Sequence, residues 1–282
     1  SHTGGIGDVV LEAEELAKTF VTKWRLLRAP DTFTAVRGVR FTLRDNEFVG
    51  IVGESGSGKS TLARLVVGLE SPSGGRLTLL GRDVTGNNVE DRAFRRENLQ
   101  IVFQDPQSAL NPRRRVASIV TQAVEAAGAR GSGPERLEMA RRLLREIGLA
   151  PETALRYPSQ LSGGQKQRVN IARALCAVPR ILVADEIVSG LDVSVQAQLL
   201  DLLLRLREDR GFSMLFISHD LSVVRYLCDR VLVMYRGEIV EAGVTEEVFS
   251  APRHDYTRML LASVPPDDPA AARPSPQEAA AG

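Results

Sequence analysis

The chain has 282 residues, 43% hydrophobic and 25% charged, a composition of folded globular proteins that excludes collagen, coiled coil and global disorder. Its 36 basic and 35 acidic residues leave a net charge of +1, so there is no global electrostatic pull toward nucleic acid or an anionic membrane. The length allows one substantial core and a smaller appended lobe, at roughly 100 to 200 residues per domain.

The opening SHTGGIGDVV lacks the basic and apolar regions of a secretory signal, and no apolar run nears the roughly 18 to 20 residues that span a bilayer. A chain neither exported nor membrane-spanning by itself is expected. Residues 1–8 read as a vector-derived remnant, a flexible start or a cut inside a longer natural chain. Cys176 and Cys228 are the only cysteines, too few and too distant for a C-x-x-C site, and they suit free thiols in a reducing compartment.

From about Val9 to Leu43, apolar residues alternate around Val36, Val39, Phe41 and Leu43, which predicts an antiparallel N-terminal sheet. A strand follows at Phe48 to Val52. Residues 53–61, GESGSGKST, match G-x-x-x-x-G-K-[ST] between that strand and the helical run TLARLVVGL. Gly53, Glu54, Ser55, Gly56, Ser57, Gly58, Lys59, Ser60 and Thr61 thus form a candidate phosphate loop, whose backbone N–H groups aim at phosphate oxygens beside a helix N-terminus. Lys59 sets its ammonium against the β and γ phosphates and Ser60 offers its hydroxyl to Mg2+. The competing reading is a glycine-rich turn that binds nothing.

Gln100 to Phe103 reads as a strand. Between about Pro106 and Pro158 the β signal vanishes, while Leu137, Ala140, Leu144 and Ile147 recur at helical spacing, which predicts an inserted helical subdomain at about 106–158. Gly128 to Pro134 is its helix–helix connection. In LSGGQKQRVNIARAL, residues 161–175, Ser162 is either a plain N-cap or part of a second phosphate site with Gly163, Gly164 and Gln165 at a helix N-terminus. ILVADE, residues 181–186, is an apolar strand ending in two carboxylates at the end where open α/β sheets hold ligands. Asp185 suits Mg2+ through water and Glu186 suits a general base, since successive strand residues point to opposite faces and the two carboxylates should have different jobs; a solvated acidic turn is the alternative. Met214 to Ser218 and Val231 to Met234 complete the strands. This alternation predicts an α/β fold with a mostly parallel core sheet. From Pro265 to Gly282 the chain is rich in proline and alanine without periodicity, the pattern of a disordered tail.

LSGGQ, with the phosphate loop and ILVADE at these intervals, resembles the ATPase subunit of the ATP-binding-cassette (ABC) transporter family over residues 9–264. The resemblance implies an ABC-type P-loop NTPase: a mostly parallel core sheet, an N-terminal antiparallel β subdomain and an inserted helical subdomain. It also implies individual roles. Gln104 touches Mg2+ and the attacking water; Ser189 to Asp192 crosses a dimer interface; His219 hydrogen-bonds the γ-phosphate; Phe20 stacks on adenine. VFQDPQSALNPRRRV, YPSQLSGGQKQRVNIARAL and HDYTRMLLASVP are similar to the peptide and nickel (dipeptide/oligopeptide) importer branch. Ile187 departs from the family, where proline often follows the glutamate and fixes φ; isoleucine loosens the turn and removes no chemical group. Some members bind an iron–sulfur cluster through C-terminal cysteines. None follows Cys228, so no cluster is expected.

The family resemblance therefore implies an ATP- and Mg2+-dependent ATPase on the cytoplasmic face of the cell (inner) membrane, as a peripheral subunit powering import, most directly of di- or oligopeptides. One phosphate loop and one LSGGQ imply a second ABC ATPase, in a homodimer or a paralogous heterodimer. They also imply two transmembrane permease subunits, indirectly an extracytoplasmic substrate-binding protein, and no nucleic acid. The groove near Gln104 and the helical subdomain receives permease helices in this family. A soluble ABC ATPase acting in DNA repair or on ribosomes is the alternative.

Overall fold

The computed structural model describes residues 7–25, 28–86, 88–105, 109–126 and 132–263. The expected tail at 265–282 and residues 128–131 of the expected 128–134 connection lie outside them. The chain divides into two units, residues 1–87 with 215–282, and residues 88–214. Among the described residues no helix is long and apolar enough to cross a membrane.

In the first unit, β1 (Val9–Arg25) and β2 (Arg28–Arg44) pair antiparallel, Ala13 opposite Phe41 and Leu16 opposite Val39. β4 (Gly74–Leu79) and β5 (Arg82–Asp83) extend them to a sheet of order β2-β1-β4-β5. This is the predicted N-terminal antiparallel sheet. Gly7 and Asp8, placed in the flexible start by sequence, already bond to Asp45: Gly7 N donates to its carbonyl at 3.3 Å, and Asp45 N donates to Asp8 O at 2.8 Å. β3 (Phe48–Val52), buried at every residue, lies parallel to β9 (Arg230–Tyr235), with Ile51 opposite Leu232. β10 (Glu238–Val244) closes that edge antiparallel to β9. A run buried on both faces has to be apolar throughout, and FVGIV is.

Behind β3, α1 (Lys59–Val67) starts directly after the loop. It ends at Gly68, whose positive φ lets its N–H reach Arg64 O and Leu65 O. Glu47 anchors the strand ends: fully buried, it accepts hydrogen bonds from Arg44 N at 2.8 Å and from the Arg230 guanidinium at 3.2 Å.

In the second unit, β6 (Leu99–Val102) and β7 (Ile181–Asp185) are parallel, Leu99 opposite Ile181. Between them the described residues form helices and no strand: α3 (Val116–Val120), α4 (Gln122–Ala126), α5 (Gly133–Glu146), two 3-10 turns and α6 (Gly163–Leu175). Pro134, assigned by sequence to a connection, lies in the first turn of α5, where proline has no intrahelical N–H to lose. Ser132 and Glu135 close a capping box there, and the amide of Ser132 holds the Glu135 carboxyl below its ordinary range. α2 (Val89–Asn98) buries Arg95; burial lowers the pKa of that guanidinium, and the charge of Asp91 one turn earlier opposes the shift. α7 (Val193–Arg210) then leads into β8 (Ser213–Ile217), which runs across the division between the units.

Candidate functional site

In the first unit the chain leaves β3 at Val52 and turns tightly, Ser57 N donating to Glu54 O at 3.2 Å, before Leu62 N bonds back to Gly58 O at 2.9 Å. Gly58 has φ +106, and a Cβ there would lie 2.3 Å from Ala35 O and 2.8 Å from Met234 Cε. Only glycine fits. Lys59 is buried, its Nζ donating to Gly53 O at 2.7 Å and Glu54 O at 2.9 Å, so the loop curls around its ammonium. The Ser57 hydroxyl is buried and has no hydrogen-bond partner among the described residues. Leaving such a group unpaired costs about 1–3 kcal/mol, a cost that a polar ligand such as a phosphate relieves. The loop's residues therefore fit a phosphate.

Two other predicted residues belong to this unit. His219 is exposed on the turn after β8, where Ser218 Oγ accepts from Asp220 N at 3.0 Å and Asp220 Oδ1 accepts from Ser222 N and Val223 N, capping α8 (Leu221–Leu227). Phe20 is half-buried on β1, with Lys18 Nζ 4.9 Å from its ring centroid, so a cation already covers one ring face.

The second unit holds the remaining candidates. Gln104 is exposed just past β6, and its Nε2 donates to Ser189 Oγ at 3.4 Å. Asp185 is 9% exposed at the end of β7. Glu186 is half-buried and has φ +55. Its direction is thus set by a left-handed residue, which corrects the expectation from strand pleating; such a conformation costs about 1–3 kcal/mol in a non-glycine residue. Ile187 and Val188, 1% and 3% exposed, anchor the turn from beneath, and Ser189 N closes it on Glu186 O at 3.1 Å. Asp192 stands at the N-cap of α7 without a side-chain capping bond.

Ser162 and Gln165 are brought together as a capping box: Ser162 Oγ accepts from Gln165 N at 3.3 Å, and Gln165 Oε1 accepts from Ser162 N at 3.0 Å. Gly163 and Gly164 open α6 beneath them. The hydroxyl read from sequence as either cap or phosphate ligand is a cap here, exposed and within reach of solvent.

This unit also carries a groove of about 780 Å3, lined by Arg96, Ile101, Phe103, Val124, Arg173 and Cys176 among others. Burial pushes the Cys176 thiol up to about 11, so it stays protonated, and burial lowers the pKa of Arg173, whose Nη1 donates to Ala109 O at 2.6 Å.

One residue assigned no role from sequence touches the loop. Tyr256 on α9 (Asp255–Ala262) is 5% exposed, and its hydroxyl accepts from Glu54 N at 2.9 Å. The sequence signal for it is a tyrosine two residues after a histidine at a helix start.

Residues 36–189 match the family model described as ABC transporter, and residues 240–281 match one described as oligopeptide/dipeptide transporter, C-terminal region. The chain is 47% identical to the probable peptide ABC transporter ATP-binding protein y4tS of Sinorhizobium fredii, over 95% of this chain and 76% of that one. It is 42% identical to the oligopeptide transport ATP-binding protein OppF of Escherichia coli, over 93% of this chain and 79% of that one. Among solved structures, a dimeric post-hydrolysis state of the ATP-binding cassette MJ0796 bound to ADP and Pi superposes with a TM-score of 0.73 at 29% identity, covering 83% of this chain and 98% of that one.

Proposed function

The chain belongs to the ABC transporter family, and we propose that it is the ATP-hydrolysing subunit of an importer of di- or oligopeptides, with each step below carried by the named residues. The observation that carries this reading is the loop itself: a buried lysine encircled by backbone carbonyls, closed by a glycine that tolerates no Cβ. The similar proteins bear peptide-transport names, and the reading as a soluble ATPase for DNA repair or ribosomes is not favoured.

Lys59 turns its ammonium from the loop carbonyls to the β and γ phosphates of ATP, trading two neutral acceptors for charged ones. Backbone N–H groups of the loop, at the start of α1, take the phosphate oxygens. Phe20 offers the ring face not covered by Lys18 to adenine. Ser60, Gln104 and Asp185 present the oxygen donors that Mg2+ prefers. When bound, Mg2+ neutralises charge on the β and γ phosphates.

Glu186 polarises the attacking water, and its left-handed backbone fixes where the carboxylate points. His219 holds the γ-phosphate from its exposed turn. Gln104 senses the same water, and its bond to Ser189 ties it to the segment ending at Asp192.

Ser162, Gly163, Gly164 and Gln165 serve the nucleotide of a second ATPase, identical or paralogous. Ser162 can do so because its Oγ accepts from Gln165 N at 3.3 Å with its lone pair, while its O–H donates to a phosphate oxygen in a charge-assisted bond. ATP thereby favours the closed dimer and hydrolysis releases it. The groove lined by Arg96, Phe103 and Arg173 receives helices of two transmembrane permease subunits at the cytoplasmic membrane face, and a substrate-binding protein delivers the cargo outside.

Glu186→Gln tests the base assignment. It should retain ATP binding and lower turnover by about 10²- to 10⁴-fold, the contribution of a positioned base. Near-normal hydrolysis by this variant removes Glu186 from the role.

A further inference from the structure

We infer that Tyr256 is a positioning residue for the phosphate loop, so that the C-terminal region of the chain helps to set its nucleotide affinity. The inference rests on the reading of residues 53–61 as an ATP-binding loop and names a part of that site which none of the loop residues supplies.

Glu54, the second loop residue, is held from both sides. Its carbonyl accepts from Lys59 Nζ at 2.9 Å and from Ser57 N at 3.2 Å. Its N–H donates to Tyr256 Oη at 2.9 Å, across 202 residues of sequence. Lys59 is the mobile partner in this arrangement, because its ammonium is the group a phosphate draws away. Once it turns to the phosphates, the bond to Tyr256 still fixes the peptide plane of Glu54, and hence the direction in which the following amides point.

Tyr256 can do this because it is itself immobilised. Its ring stacks on Tyr235 with centroids 4.1 Å apart, and Tyr235 ends the strand that runs parallel to β3. The helix start carrying it is pinned twice. Glu241 on β10 accepts from Arg253 N at 2.8 Å and His254 N at 3.0 Å, and His254 Nδ1 accepts from Tyr256 N at 3.1 Å as the N-cap. The spacing in HDYTR thus has a physical reason: the histidine caps the helix and aims the tyrosine two residues later. Burial also raises the pKa of the Tyr256 hydroxyl, so the phenol keeps its neutral form throughout the assay range. Glu241, His254 and Tyr256 all lie in the matched C-terminal region, whereas Glu54 lies in the matched ABC transporter region.

The test uses the full chain with Tyr256→Phe, which retains the stacked ring and loses only the acceptor oxygen. ADP is titrated calorimetrically, apo melting is recorded, and steady-state kcat and KM for ATP are measured. Affinity should fall by about 3- to 10-fold, the effect of one net hydrogen bond, with KM rising in parallel, kcat staying close to wild type and apo melting lowered by about 2–4 °C. Tyr235→Leu, which removes the supporting ring and keeps both ends of the bond, should weaken ADP in the same direction. Wild-type ADP affinity in both variants overturns the inference, as does a drop in melting temperature with affinity intact, the mark of a purely structural tyrosine. Failure of the wild-type chain to bind ADP would instead overturn the ATP-binding reading of the loop.

Discussion

Gly58→Ala, compared with Gly56→Ala, separates the two reasons a phosphate loop needs glycine. Both residues have positive φ, +80 at Gly56 and +106 at Gly58. Placing an alanine in the left-handed region costs about 1–2 kcal/mol at either position. At Gly56 a new Cβ meets nothing within 4 Å, so that is the whole cost. At Gly58 the Cβ would sit 2.3 Å from a backbone carbonyl, Ala35 O, which cannot swing away as a side chain would. Overpacking of this kind adds about 1–3 kcal/mol, for a total of about 2–5 kcal/mol. Stability of a whole domain is only about 5–15 kcal/mol, so Gly58→Ala should fold but melt well below Gly56→Ala. Urea unfolding of both variants, with ADP titration on the folded protein, reads the two effects. Gly58→Ala should lose nucleotide binding because the loop can relieve the clash only by moving away from β2, whereas Gly56→Ala should weaken it modestly. Equal unfolding midpoints for the two alanines would refute the steric argument.

Two further outcomes follow from single side chains. Lys59→Ala removes the ammonium that faces the phosphates, and since hydrogen bonds to charged groups contribute about 1.5–3 kcal/mol, ATP binding should weaken by about 10- to 150-fold; unchanged affinity in an equilibrium titration contradicts the assignment. Glu241 gives a pH dependence. Burial opposes its ionisation, but the Thr257 hydroxyl, the Arg253 and His254 amides and the charge of His254 together outweigh burial and hold its carboxyl below the ordinary range. A carboxyl depressed in the folded state stabilises above its unfolded pKa, and that stability is lost as pH falls through the folded value. Glu241→Gln, which turns an N–H toward one of those amides, should therefore melt lower than wild type at pH 7, with the gap closing below about pH 4. A gap independent of pH refutes this role.

The elements that were legible are those whose residues leave only one environment open to them. FVGIV and ILVAD are buried at every position, and their observed bounds coincide with the apolar runs. β8 starts one residue before its apolar run because Ser213, polar but buried, spends its N–H on Arg180 O at 3.0 Å. β6 gains Leu99 and loses Phe103, which lies beyond its last parallel pair. β4 and β10 carry no such mark in the sequence, for a different reason. GGRLTL begins with three exposed residues, and EIVEAGV is an edge strand whose residues are exposed or half-buried, so neither shows the apolar run that marks a strand.

The site divides in the same way. The loop was legible because glycine, lysine and serine at fixed spacing have few other reasons to occur together. The left-handed backbone of Glu186 was not, because nothing in ILVADE separates a last pleated residue from a first turned one. The bond from Glu54 to Tyr256 was not either, since no local pattern reports a contact made across the whole domain.

The most direct test of the central claim is co-purification of the full chain carrying Glu186→Gln from the membranes of its native host in the presence of ATP, with the captured subunits identified by mass spectrometry. A peptide-importer ATPase held in its closed state should bring down two multi-spanning permease subunits and a second ABC ATPase, either another copy or a paralogue. Ribosomal or DNA-repair proteins recovered without any permease would contradict the importer role.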